Sequence, residues 1–151
     1  MTNEELSTYL SEQFGQAEVK QGTQYIEILV KAEELHKVAE SLRNSPKTAF
    51  DYMVCLSGVD YADHMCVVYH LESTSLKHFL VLKVKTEGRE NPAIDTLSDL
   101  WPTAEFHERE VYDLLGVKFN NHPDLRRLFL DDSWGFPLRK DYVDEIHVVE
   151  R

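Results

Sequence analysis

Three β-forming runs, "YMVCLSGVDY", "HMCVVYHLE" and "SLKHFLVLKVKTE", follow one another between residues 52 and 87 with only turn-like residues between them. Parallel neighbours need a crossover of a dozen or more residues, so strands this close suit an antiparallel meander. Upstream, "AEVKQGTQYIEILV" reads as two strands about Gln21-Gly22, with Tyr25, Glu27 and Leu29 alternating against Ile26, Ile28 and Val30. Two helical patterns flank that hairpin. Thr2 and Glu5 form a capping box ahead of Leu6, Leu10 and Phe14, and Gly15 offers a stop. In "KAEELHKVAESLRNSP", Leu35, Val38, Ala39 and Leu42 mark one face and Pro46 closes the helix. Helix, hairpin, helix and meander together predict an α+β fold, with helices on one face of a mainly antiparallel sheet.

The character changes after Asn91-Pro92. "AIDTLSDLW" is expected to be a short helical segment, and Pro102 suits the first turn of a third helix. That helix should run to about Leu115, with Gly116 as a left-handed cap. Residues 117–151 show little sustained period and are rich in Pro, Asp, Arg and aromatics. They are too apolar for disorder and too irregular to fold alone, which predicts an extended tail lying along another surface. The expected division is an α+β domain at 1–116 and a partner-binding tail at 117–151.

A net charge of −11 argues against nucleic acid and against an anionic lipid surface, both of which call for a basic patch. No apolar run approaches the roughly 20 residues that span a bilayer, and the polar N-terminus fits a cytoplasmic chain. Cys55 and Cys66 have neither metal nor redox spacing and read as reduced core thiols.

The densest chemistry is "HEREVYD", residues 107–113. At about 100° per residue, Ala104, Val111 and Leu115 share the core face, and Glu108 falls among them. Glu108 is then either a surface glutamate on a slightly rotated helix or a buried carboxylate needing Arg126, Arg127 or Arg139 as partner. Phe106, Arg109, Glu110 and Asp113 lie on the opposite side, with Arg109 and Asp113 an i, i+4 pair. Aromatic and arginine anchors in a polar rim are what an interface uses. Reversing charge at Glu110 or Asp113 is therefore expected to weaken assembly more than stability. His107, Glu110 and His122 resemble half of a di-metal motif, but no second segment supplies the other ligands. His122, ahead of Pro123, is more simply a loop histidine capping backbone. There is no nucleophile elbow and no glycine-rich phosphate loop.

Residues 107–142, "HEREVYDLLGVKFNNHPDLRRLFLDDSWGFPLRKDY", resemble the signature of the 30-kDa subunit family of respiratory complex I, the C subunits of NADH-quinone oxidoreductase. "SGVDY" at 57–61 and "VVYHLES" at 67–73 extend the likeness over most of the chain; Phe106, Leu115 and Asn121 are small departures. The resemblance implies a non-redox structural subunit of the peripheral arm, on the cytoplasmic side of the cell inner membrane. It would pack on the 49-kDa (D) subunit and neighbouring iron–sulfur subunits. It would carry no cofactor itself; iron–sulfur clusters, FMN and quinone belong to the assembled, proton-translocating enzyme. By motif position, Glu108, Arg109, Glu110, Asp113, His122, Pro123, Arg126, Arg127, Pro137, Arg139, Lys140, Asp141 and Tyr142 would hold the interface or the tail geometry, beside Phe106. Three other readings stay open: the equivalent subunit of an energy-converting hydrogenase or another quinone-reducing complex, a metal-dependent enzyme, and a free adaptor domain.

Overall fold

The computed structural model describes residues 1–144, 146 and 147. Helix α1 (Asn3–Gln13) begins with the expected capping box, in which the Thr2 hydroxyl accepts from Glu5 N–H and the Glu5 carboxylate accepts from Thr2 N–H. β1 (Glu18–Gln21) and β2 (Ile26–Lys31) form the hairpin, and a 3₁₀ turn (Ala32–Glu34) leads into α2 (Leu35–Asn44). β3 (Tyr52–Asp60), β4 (Met65–Ser73) and β5 (His78–Lys85) form the meander. The sheet order is β1-β2-β5-β4-β3, antiparallel throughout except between β2 and β5. That parallel pair is closed by everything between the two strands, so no local pattern announces it.

Alternation along the strands decides which face is covered. Ile26, Ile28 and Val30 of β2, Leu80, Leu82 and Val84 of β5, and Met65, Val67, Tyr69 and Leu71 of β4 all turn to one side and are buried. Leu6 and Leu10 of α1 and Leu35, Val38, Ala39 and Leu42 of α2 join them in one core. The helix α3 (Ala104–Leu115) adds Ala104, Val111 and Leu115 over β3. Gly58 permits that approach: a Cβ there would stand 2.4 Å from Leu115 Cδ1 and 2.8 Å from Val111 Cγ1. α3 ends at Gly116 with φ +76°, the left-handed conformation its sequence calls for.

The segment 93–101 departs from expectation. In place of a helix, Ala93–Asp95 forms a strand, β6, paired in parallel with β7 (Lys118–Asn120), followed by turns to Trp101. Ile94, Leu97 and Trp101 are buried, so their helix-like spacing is met by a strand and turns that present the same residues inward. The pairing also moves a boundary: Val117 and Phe119 lie in the core, so 117–120 belong to the folded body and the irregular segment starts at Asn121.

Candidate functional site

α3 has two buried sides, one against the sheet and one against the C-terminal segment. Arg109 and Asp113, expected to face outward, are both buried. They are not paired with each other. Asp113 Oδ2 accepts from three consecutive backbone N–H groups, Leu128 (3.3 Å), Phe129 (2.7 Å) and Leu130 (3.1 Å), while Arg127 Nη1 donates to Oδ1 at 3.1 Å. Burial works to raise this carboxyl; the amides and the guanidinium outweigh it and hold it below the usual range. Arg109 donates to the carbonyls of Arg126 (3.1 Å) and Arg127 (2.9 Å). Both side chains thus bind backbone of residues 126–130. Periodicity failed here because it finds where a helix meets apolar neighbours, and this second side is covered by polar main chain.

Arg127 Nη2 also donates to Trp134 O at 2.6 Å and Nη1 to Gly135 O at 3.1 Å. Its guanidinium lies 5.2 Å from the Phe136 ring centre, and that of Arg139 lies 5.0 Å from the same ring. Arg139 Nε donates to Leu115 O at 2.7 Å, capping one of the carbonyls the helix end leaves open. Gly116 is doubly required, since a Cβ would come within 2.7 Å of both Arg139 and Phe136. Leu138 N–H donates to Leu114 O, so Pro137 and its neighbours follow the end of the helix.

The last clamp joins distant stretches. Asp60, at the end of β3, takes a bidentate pair from Arg89 (3.0 and 2.6 Å) and the Lys140 N–H at 2.9 Å. Arg89 makes a second bidentate pair with Asp141 at 3.0 and 2.6 Å. The Arg89 guanidinium, helped by Lys140 and Ala62 N–H, holds the Asp60 carboxyl far below the carboxylate range despite its burial. Tyr142 packs over Gly135 and donates its hydroxyl to Asp144. Gly58 and Asp60 explain the "SGVDY" stretch, one as contact surface for α3 and the other as anchor for the tail. Arg89 escaped sequence reasoning because its partners, Asp60 and Asp141, lie 29 and 52 positions away.

Glu108 is fully buried, and among the described residues no arginine reaches it. Its carboxyl accepts from the Thr96 hydroxyl at 2.5 Å and Leu97 N–H at 2.8 Å, from the segment expected to be helical. Desolvation pushes it up to about 7, against these two hydrogen bonds and with a push from Asp99. The expected arginine is dispensable because a carboxyl held by neutral donors can take a proton instead of a counter-ion. His122 Nε2 lies 3.7 Å away, but its ring serves backbone: Nδ1 accepts from Asp124 N–H at 3.0 Å, and Nε2 donates to Glu105 O at 2.9 Å. His122 therefore caps backbone, as the loop reading expects. Among the described residues, no group of three or more His, Cys, Asp and Glu side chains is placed to hold a metal ion.

Phe106 (57% exposed) and Glu110 do face solvent, as do Phe129 (68%) and Leu138 (60%). Pro123 is exposed, and Arg126 pairs with Asp124 at 2.9 Å on the surface. Backbone clamps thus fix a C-terminal segment along α3, and its apolar side chains remain on show. Such a chain is an α+β module whose charged signature residues hold a C-terminal segment along one helix.

Residues 28–147 match the family described as the respiratory-chain NADH dehydrogenase 30-kDa subunit, and the chain belongs to it. It is 44% identical over 122 residues to the C/D subunit of an NADH-quinone oxidoreductase from Phocaeicola vulgatus, covering 80% of this chain and 23% of the relative. It is 46% identical over 114 residues to the C subunit of the NADH-quinone oxidoreductase from Chloroherpeton thalassium, covering 73% of this chain and 47% of the relative. The chain thus spans half or less of these relatives. Among solved structures it resembles, with a TM-score of 0.80 and 26% identity over 95% of this chain and 86% of the other, a chain of a membrane-bound sulfane sulfur reductase, an archaeal respiratory membrane complex.

Proposed function

We propose that this chain is a non-redox structural subunit of the peripheral arm of an NADH-quinone oxidoreductase, docking on the 49-kDa (D) subunit and supporting assembly and electron transfer to quinone. The carrying observation is the C/D relative, in which a part similar to this chain and a D part share one polypeptide. Fusion into one protein keeps the two parts side by side, which suits a lasting contact, and the exposed Phe106, Phe129 and Leu138 beside Glu110 offer its apolar anchors and polar rim. Redox chemistry, with its clusters, FMN and quinone, then belongs to neighbouring subunits, as does proton translocation. Among the described residues no helix is long and apolar enough to cross a membrane, which fits attachment through partners on the cytoplasmic side.

Recovery of the tagged chain from native membranes, with partners identified by mass, tests this. The 49-kDa subunit and iron–sulfur subunits should come with it. Glu110→Arg and Phe106→Ala should lower that recovery while the urea midpoint of the free chain stays put. Recovery of the chain alone, or with a stoichiometric tightly bound metal, would overturn the reading. A related complex with another electron donor is the second reading, favoured by the similarity to the sulfane sulfur reductase chain; the identity of the electron-input partner separates the two.

A further inference from the structure

The two outer strands of the sheet are built differently. β1 is four residues long and carries Glu18 and Lys20, paired at 2.6 Å. Shortness and charge are how natural sheets keep an edge from pairing with another chain. β3 is nine residues long, with no proline and no charged residue before Asp60. Its register against β4 shifts between Met53 and Cys55, a bulge that twists the first part of the edge away. From Cys55 to Asp60 the pairing with β4 is regular. On the other side of that stretch, no backbone hydrogen bond among the described residues meets it. Asp60, its one charge, is turned inward onto Arg89. On the sheet's uncovered face Ser57 is exposed and Cys55 and Val59 are half-buried.

We propose that this edge receives an extended segment of a neighbouring subunit as an added strand, and that the segment carries net positive charge. A row of alternating free N–H and C=O groups selects an extended backbone over a helix or a small molecule. Charge selects among extended backbones. Asp51 and Glu72 stand at the start of β3, before the bulge, and Asp63 just past its end, on a chain of net charge −11, while Arg89 and Lys140 at the Asp60 end are offset by Asp60 and Asp141. A second copy would bring carboxylates to carboxylates, whereas a strand with lysine or arginine at its ends meets the opposite sign. Side chains of the added strand on the sheet's uncovered face would lie beside Cys55, Ser57 and Val59. The inference rests on the reading of this chain as part of a larger complex and deepens it, by assigning a second contact away from Phe106 and Leu138.

Hydrogen exchange on the free chain and on the complex purified from native membranes tests it. The amides of residues 55–59 that do not donate to β4 should exchange at least about tenfold more slowly in the complex. In the free chain they should be fast at every protein concentration. Ser57→Lys, at an exposed position, should keep the unfolding midpoint but lose the added protection, and Ser57→Ala should keep both. Fast exchange of these amides in a complex whose residues 106–142 have become protected overturns the edge inference and leaves the docking reading standing. Protection that grows with concentration in the free chain assigns the edge to a second copy and overturns it too. Failure to recover any partner overturns both.

Discussion

Removal of the Asp113 carboxylate should loosen the C-terminal segment before anything else in the fold. In Asp113→Ala, the N–H groups of Leu128, Phe129 and Leu130 lose their acceptor and Arg127 loses its carboxylate while still partly buried. Breaking a buried charged pair from one side costs about 3–5 kcal/mol. Each amide bonded to a charged acceptor contributes about 1.5–3 kcal/mol on its own, so the pair figure is not an overcount. The loss has a ceiling, because once it exceeds the free energy holding residues 121–144 to α3, that segment lifts off and its donors return to water. Urea unfolding should therefore show a loss near the low end of the pair figure, about 3 kcal/mol, equivalent to about 6–12 °C in midpoint at this chain length. Native-state hydrogen exchange should show Leu128–Leu130 as the fastest-opening amides. Glu110→Arg, three residues away but exposed, serves as control and should stay within about 0.5 kcal/mol of wild type. A variant within about 1 kcal/mol of wild type, with these amides as slow as before, would refute the anchoring role assigned to Asp113.

Glu108 gives the stability a pH dependence of opposite sign to most carboxylates. Its folded pKa of about 7 lies above the ordinary value of 4.5, so the folded chain binds more protons between those limits and stability falls as pH rises through them, by about 3 kcal/mol at most. Glu108→Gln should flatten that limb in urea titrations from pH 5 to 8. Asp60 and Asp113, both lowered, contribute stability above the ordinary carboxylate range that is lost as pH falls below it, and this acid limb should survive in Glu108→Gln. Gly58→Ala forces a methyl against Leu115 and Val111 and should cost about 1–3 kcal/mol by calorimetry, part of it regained in Gly58→Ala with Leu115→Val. Arg89→Met strips buried Asp60 of its counter-ion and frees Asp141, so limited proteolysis should cut near Lys140 before the body unfolds.

How far the fold was legible depended on sequence separation. The capping box at Thr2, the Gln21-Gly22 hairpin, the meander and the Gly116 stop are decided by residues within a turn or two of one another, and each stands where its local chemistry put it. The parallel β2–β5 and β6–β7 pairs join strands that are distant in sequence, and the second of them turned an expected helix at 93–101 into a three-residue strand followed by turns. The site followed the same rule. Phe106 and Glu110 face water as the helical wheel requires, because none of the described residues covers them. Arg109 and Asp113 are buried because residues 126–130 lay their main chain over them, and a wheel carries no information about a cover made of peptide groups. Glu108 was placed on the correct side with the wrong partner: a search for an opposite charge passes over Thr96 and Leu97, which satisfy a carboxyl without charge.

The order of synthesis gives the Asp113 anchor another meaning. At about 5–20 residues per second, the roughly 15 residues from Asp113 to Leu128 take about one to three seconds to emerge. During that interval α3 can settle on β3 through Val111 and Leu115, while Arg109 and Asp113 stay hydrated at no desolvation cost. The N–H groups that replace that water arrive last, so the surface carrying Phe129 and Leu138 takes shape only after the body beneath it exists. A nascent chain built this way has time to form its body before Phe129 and Leu138 are fixed upon it.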